Sequence, residues 1–113
     1  MKIFFFTIFF FIFSNTNAAD IKLEKIIENL NKPWSLSFID NQNLVLTEKN
    51  GKLFTFNLKN KNLKEIQHNL SLISLGQGGL LDVLYHNNDV YVSYSENRGN
   101  WKTSTSVAKG KFN

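Results

Sequence analysis

Short runs of alternating apolar and polar residues, each bounded by a cluster of turn-forming residues, recur along most of this chain. Successive side chains point to opposite faces of a β-strand, so this period of two is typical of strands with one buried face. The polar clusters between the runs, rich in Asn, Asp and Gly, are typical of turns between antiparallel strands. The pattern predicts an all-β fold of short strands that pair in sequence order.

The first set of runs predicts four strands, at residues 34–38, 44–47, 52–57 and 63–67. Asn50-Gly51, between the second and third, favours a type I′ turn, because both central residues of that turn need positive φ. Upstream, residues 21–30 are compatible with a strand or a helix. That element ends before Pro33, because the residue preceding a proline avoids the helical region.

A second set of runs begins directly afterwards, with predicted strands at 79–85, 90–95 and 103–112 and a turn at 86–89. No fourth strand follows in the sequence. Four-stranded units of roughly 40–45 residues are the period of a β-propeller, in which blades stack around an axis. The sequence therefore predicts the first one and a half to two blades of an incomplete propeller. A complete small sandwich or barrel of seven or eight strands is the alternative.

The first eighteen residues have the pattern of an export signal. Lys2 precedes an apolar stretch at residues 3–13, and a polar, small-residue stretch follows at residues 14–19. Cleavage is expected after Ala18 or Ala19. The apolar stretch is shorter than the roughly 20 residues that a membrane-spanning helix requires. We therefore predict a signal peptide at 1–18, a β-propeller segment at 19–113, and no stable membrane anchor after cleavage.

Composition narrows the function classes. The 113-residue sequence contains no Cys, which excludes disulfide scaffolds and thiolate chemistry, and its two His cannot build a three-His metal site. An exported chain without Cys suits a bacterial periplasm. Its Lys residues are scattered among Glu residues and form no basic stripe, so nucleic-acid binding is not expected.

Four motifs occur in order after the signal: KPWSLSF at 32–38, TEKNGKL at 47–53, GQGGLLD at 76–82 and VYVSY at 90–94. The series resembles the start of the glucose/sorbosone dehydrogenase family, the soluble PQQ-dependent aldose sugar dehydrogenases. GQGGLLD is its most specific part. The run STSVAKGKF at 104–112 resembles a further family strand, TAVARGRL. Lys49 stands where the family usually has Arg.

The resemblance implies a six-bladed propeller that holds pyrroloquinoline quinone (PQQ) at one end of its axis. It also implies an oxidoreductase that converts the C1 hydroxyl of an aldose to a lactone. In that family calcium polarises the quinone, a His base takes the hydroxyl proton, and hydride passes to the quinone C5. An aldose substrate and a periplasmic electron acceptor are the implied partners.

The same resemblance places Gln77 at the cofactor, with Gly76 and Gly78 beside it. A Gln amide offers two donors and an acceptor, and glycines allow the backbone to approach a ligand closely. On the residues alone, a plain glycine-rich turn with an exposed Gln77 remains an open alternative. So does a non-catalytic exported propeller or small β-domain that binds a ligand or protein partner.

The family's catalytic His lies in an H-x-G-G-R-L segment that this sequence does not contain. We therefore assign no catalytic and no metal-binding residue, and expect this stretch alone to be inactive. His86 is interpreted as a turn residue and His68 as an exposed strand-end residue.

Three further side chains have a structural and a functional interpretation. Asp82 is expected to be a buried hydrogen-bonding residue between blades rather than a calcium ligand. Trp34 is expected in the core rather than stacked on a sugar. Glu48 is expected to pair with Lys49 or Lys52 rather than act as a base.

Overall fold

The computed structural model describes residues 17–112, which form seven β-strands and no helix. The strands are β1 (Pro33–Phe38), β2 (Asn43–Glu48), β3 (Leu53–Asn57), β4 (Leu63–Ile66), β5 (Leu80–His86), β6 (Asp89–Asn97) and β7 (Thr103–Lys111). The all-β prediction is confirmed. Nowhere in this range is there a helix with the length and apolar character needed to span a bilayer.

The segment before β1 is irregular. Residues 17–32 are neither strand nor helix, so the prediction of an element at 21–30 is wrong. Positive φ values at Asn29 (62°) and Lys32 (53°) interrupt any regular run there. Residues 1–16 of the predicted signal peptide lie outside the described residues.

The strands form two antiparallel sheets in simple sequence order. The first sheet has the order β1-β2-β3-β4 and the second has the order β5-β6-β7. Direct pairs such as Leu36↔Leu46 and Leu46↔Phe54 place the side chains of three strands on one face of the first sheet. Among the described residues, β5 and β7 are the edge strands of the second sheet.

The hairpin turn predicted at residues 86–89 is present, whereas the one predicted at Asn50-Gly51 has a different form. Asn87 and Asn88 have φ values of 50° and 65°, as a type I′ turn requires, and they join β5 directly to β6. In the β2–β3 loop only Gly51 has positive φ, at 109°, and its N–H donates to Glu48 O at 3.0 Å. Because Glu48 N donates to Lys52 O at 2.8 Å, the turn closes over the three residues 49–51 and ends on Gly51, so the type I′ prediction at Asn50-Gly51 is wrong.

The main core lies between the sheets. The first sheet contributes Val45 and Leu53, and the second contributes five buried side chains, Leu80, Val83, Val90, Val92 and Tyr94. The opposite face of the first sheet has its own buried cluster of Leu44, Leu46, Phe54 and Phe56, against which Ile27 and Leu30 of the irregular segment pack. Burial of these apolar side chains is the main force holding the sheets and this segment together.

Side-chain hydroxyls fix the first sheet against β5. Val83 N donates to Ser35 Oγ at 3.3 Å, and Tyr85 N donates to Ser37 Oγ at 3.0 Å. Thr47 Oγ1 donates to Leu81 O at 2.5 Å. The small polar side chains of β1 therefore face the second sheet, and its apolar side chains face the other way.

Two expected core positions are exposed because of this arrangement. Trp34 is 47% exposed, so the prediction that it lies in the core is wrong. Asp82 is also exposed rather than buried between sheets. It lies within the register shift between Leu80 and Val83, where β5 departs from regular alternation, and its N–H donates to Ser93 Oγ at 3.1 Å.

Candidate functional site

The glycine-rich motif forms the connection between the two sheets. Before it, Leu72 bridges to Glu96, and Ile73 N donates to Ser95 O at 3.0 Å. The chain then turns over residues 75–78, where Gly78 N donates to Leu75 O at 2.8 Å. The loop therefore rests on β6 and presents its tip away from the core.

The base of the loop is tightly packed against β6. Ser95 N donates to Gly79 O at 2.8 Å, and Gly79 N donates to Ser95 Oγ at 3.1 Å. A Cβ added at Gly78 would lie 2.7 Å from Ser95 Oγ. A larger residue would require Ser95 Oγ to move, and with it the bond that this oxygen accepts from Gly79 N, so glycine at this point permits the close approach.

The β2–β3 hairpin contacts the other side of the loop through Lys49. Leu80 N donates to Lys49 O at 3.1 Å, and Lys49 Nζ donates to Gly76 O. A Cβ on Gly79 would lie 2.1 Å from Lys49 O. The TEK segment at the end of β2 and the GQGG segment are thus in direct contact, although 27 residues separate Lys49 from Gly76.

The three residues predicted to bind a cofactor lie together at the tip and outer base of this loop. Gly76 has a φ of 57° and open space around it, since no atom lies within 4 Å of an added Cβ. Gln77 is exposed, and Gly78 is half-buried. The structure brings Gly79, Lys49 and Ser95 to the same place. Gly79 belongs to the recognised motif, but nothing in the sequence pattern marks Ser95.

Glu48, the acidic residue next to this unit, has a structural environment. It is only 4% exposed, and its Oε1 accepts from Asn31 N at 2.6 Å. Its Oε2 accepts from the Asn50 side-chain amide at 3.3 Å. The expected pairing with Lys49 or Lys52 is wrong, because the carboxylate turns toward the irregular N-terminal segment, while Lys52 pairs with Glu65 at 3.5 Å.

Neither histidine belongs to the loop. Both are exposed, as predicted for His68, and His86 is the last residue of β5, directly before the turn in which it was expected. His68 Nε2 lies 2.6 Å from Gly51 O, beyond the end of β4, and His86 pairs with Asp89 across the β5–β6 turn. Within residues 17–112 there is no cluster of three His, Asp or Glu side chains able to hold a metal ion.

Asp40 is the acidic group with a perturbed titration, and it belongs to the β1–β2 turn rather than to the loop. Its pKa lies below the ordinary value of 3.8, mainly because the Asn43 side chain donates to it, and also because of the backbone N–H groups of Gln42 and Asn43. These donors favour the ionised carboxylate. The group stabilises a turn.

Two antiparallel sheets pack against each other around a shared core, and the glycine-rich loop that connects them is hydrogen-bonded to both. These features define an all-β protein with an exposed polar loop where the two sheets meet. The chain belongs to the glucose/sorbosone dehydrogenase family, whose sequence profile matches residues 30–113. The family resemblance expected from the motifs is confirmed.

Related proteins agree with this assignment. The chain is 28% identical to the aldose sugar dehydrogenase YliI of Escherichia coli (strain K12) over 100 residues, covering 83% of this chain and 27% of that protein. A crystal structure of a glucose dehydrogenase superposes with a TM-score of 0.72 at 33% identity, covering 78% of this chain and 27% of the other. The chain thus spans about a quarter of the length of these relatives.

A third structure shares the fold at lower identity. It is the PQQ-bound form of an aldose sugar dehydrogenase from Streptomyces coelicolor, with a TM-score of 0.66 and 17% identity. The match covers 77% of this chain and 26% of that one.

Proposed function

We propose that this chain is the N-terminal part of an exported, PQQ-dependent aldose sugar dehydrogenase. In this proposal the first sheet is one blade and the second sheet is part of the next, in a propeller of six blades. Residues 1–18 direct export to the periplasm and are removed, and residues 19–113 begin the propeller. The complete enzyme oxidises the C1 hydroxyl of an aldose to a lactone and passes electrons to a periplasmic acceptor.

The observation that carries this proposal is the GQGG loop at the junction of the sheets. Its position on two sheets, its exposed Gln77 and its close-packed glycines agree with a binding loop. Membership of the glucose/sorbosone dehydrogenase family and the PQQ-bound state of one structural relative support the choice of cofactor.

The loop fits the polar edge of a flat quinone. The space beside Gly76 is open, so a planar ligand can approach the backbone there. The exposed Gln77 amide has two N–H donors suited to quinone oxygens. When bound, PQQ supplies the electron acceptor for the two-electron oxidation of the sugar. In this proposal Gln77 orients the cofactor, and Gly76 and Gly78 allow its close approach.

The proton-transfer step and the calcium site belong to other parts of the enzyme in this proposal. His68 and His86 are outside the loop, and neither matches the family's catalytic segment. Calcium is proposed from the family resemblance alone, with ligands other than those of residues 17–112. The stretch to Asn113 is therefore expected to be inactive by itself.

The first experiment is to read the gene beyond Asn113. Because blades contain roughly 40–45 residues, a six-bladed propeller would extend well beyond Asn113, and we expect an H-x-G-G-R-L segment within about 300 further residues. Absence of that segment over such a length would contradict the dehydrogenase assignment and favour a non-catalytic binding protein.

The second experiment measures PQQ binding and activity in the full-length protein. The apoprotein should bind PQQ with calcium and then oxidise an aldose with reduction of a dye. Gln77→Ala should weaken PQQ binding about tenfold, since it removes a hydrogen bond to the ligand. Gln67→Ala, an exposed glutamine after β4, is the matched control and should bind as wild type does. Equal binding by both variants would remove Gln77 from the site.

Export is tested on the same protein. Release of the protein by osmotic shock, with an N-terminus at Ala19 or Asp20, is expected. An uncleaved N-terminus in the membrane fraction would contradict the signal-peptide assignment.

A further inference from the structure

Lys49 is the residue whose contacts to the GQGG loop are not explained by core packing. Its main chain is fixed on both sides, because Lys49 N donates to Lys32 O at 2.9 Å and Lys49 O accepts from Leu80 N at 3.1 Å. The side chain then extends from this anchored backbone to Gly76 O at the loop tip. The Lys49 side chain thus connects the fixed backbone of the β2–β3 hairpin to the tip of the loop.

The base and the tip of the loop are held differently. The base, at Gly79, bonds to Ser95 through backbone and hydroxyl and to Lys49 through close contact. The tip has a local turn bond, from Gly78 N to Leu75 O. Among the described residues, Lys49 Nζ supplies the hydrogen bond that ties the tip to another element.

This contact determines how the next peptide group is oriented. Gly76 C=O and Gln77 N–H belong to the same planar trans peptide, so they point in opposite directions. When the Gly76 carbonyl accepts from the Lys49 ammonium, the Gln77 N–H must turn away from Lys49. Gly76 has a φ of 57° and no atom within 4 Å of where a Cβ would lie, so packing on that side does not fix this orientation.

We infer that Lys49 is a positioning residue that fixes the Gly76–Gln77 peptide and so presents Gln77 to the cofactor. The inference about the loop stands on the contacts of Lys49, and its consequence for the cofactor rests on the proposed function. An ammonium is well suited to this task, since a charge-assisted bond to a carbonyl is stronger than a neutral one. Lys49→Arg should retain the contact, because a guanidinium also donates.

The test compares three variants of the full-length apoprotein by hydrogen–deuterium exchange. Lys49→Met keeps the apolar stem and removes the donors, Lys49→Arg retains donors, and Lys52→Met is the matched control. Lys52 is on the same hairpin, but its ammonium pairs with Glu65 rather than with the loop. We expect about tenfold faster exchange of the Gly78 amide, which is hydrogen-bonded to Leu75 O across the turn, in Lys49→Met, because the charged hydrogen bond that holds this turn is lost. The other two variants should exchange as wild type does.

Two exchange results in Lys49→Met would overturn the inference, as would fast exchange in Lys49→Arg. One is unchanged exchange of the loop in Lys49→Met. The other is a loss of protection spread over β2, β3 and β6, including failure of this variant to fold, because Lys49 would then support the whole structure rather than the loop tip. Recovery of slow exchange in Lys49→Arg is required as well.

PQQ binding then separates this inference from the proposed function. We expect Lys49→Met to bind PQQ about tenfold more weakly and Lys49→Arg to bind within about threefold of wild type. Faster loop exchange together with normal PQQ binding would refute the link to the cofactor. If the wild-type protein binds no PQQ, the proposed function fails, while the exchange result still decides whether Lys49 holds the loop.

Discussion

Replacing Gly79 by alanine tests whether the loop and the hairpin are in true contact. A Cβ at this position would lie 2.1 Å from Lys49 O and 2.9 Å from Lys49 Cγ. The nearer of these atoms is backbone, which is held by Leu80 N on one side and by Lys32 O through Lys49 N on the other. The clash can therefore be relieved only by moving the loop away from the hairpin.

Three costs combine in Gly79→Ala. Separating overpacked groups costs about 1–3 kcal/mol. The φ of 150° is strained for a residue with a Cβ, which adds about 1–3 kcal/mol. Loss of the bond from Leu80 N to Lys49 O adds about 1 kcal/mol. We expect Gly79→Ala to lower the free energy of unfolding by about 3–7 kcal/mol in total.

Two other glycines calibrate this expectation in urea unfolding of the full-length protein. Gly76 has positive φ but no neighbouring atom within 4 Å, so Gly76→Ala should cost about 1–2 kcal/mol from backbone strain alone. Gly110 has neither positive φ nor a close neighbour, so Gly110→Ala should be neutral or stabilising by up to about 1 kcal/mol. If Gly79→Ala were no more destabilising than Gly76→Ala, the close approach of loop and hairpin would be refuted.

Two further substitutions test the sheet contacts and the first turn. Ser37→Ala leaves Tyr85 N–H without its acceptor and should lower the free energy of unfolding, measured in urea, by about 1–2 kcal/mol. Ser74→Ala, at an exposed serine, is the control, and an equal loss in both variants would contradict this prediction. The lowered pKa of Asp40, due first to the Asn43 side chain, means that its stabilisation is present above pH 3.8 and is lost as the pH falls through the folded-state pKa. Asp40→Ala should therefore lower the thermal midpoint at neutral pH but not in strong acid, and a difference that persists in strong acid would show another origin.

The strands were predictable because period-two alternation and polar turns are local signals. All seven predicted runs correspond to strands, with ends that differ by a few residues. The predictions for residues 21–30, for the β2–β3 turn and for the burial of Trp34 and Asp82 were wrong, because these features depend on partners that are distant in sequence. The face of β1 is the clearest case. Alternation places Ser35 and Ser37 on one face of β1, and Leu36 and Phe38 on the other. It does not indicate which face packs against another sheet. The serines do, because β5 offers them backbone N–H groups.

The candidate loop was recognisable as a motif, but its support was not. Gly76, Gln77 and Gly78 are adjacent in sequence and needed no tertiary information. Lys49 reaches the loop from 27 residues away, through a β2–β3 turn that differs from the type I′ turn expected at Asn50-Gly51. The mistaken turn type therefore concealed how that lysine would be placed.

The hydroxyl contacts between β1 and β5 also determine how the second sheet can grow. Within residues 17–112, β5 has one edge paired with β6 and the other edge without a strand partner. On that second edge Ser35, Ser37 and Thr47 occupy backbone groups at Val83, Tyr85 and Leu81. Side chains thus block the positions that an incoming strand would need, which protects this edge from mispairing. A further strand can join the second sheet only beside β7, so a few small hydroxyls set the direction in which the sheet is extended.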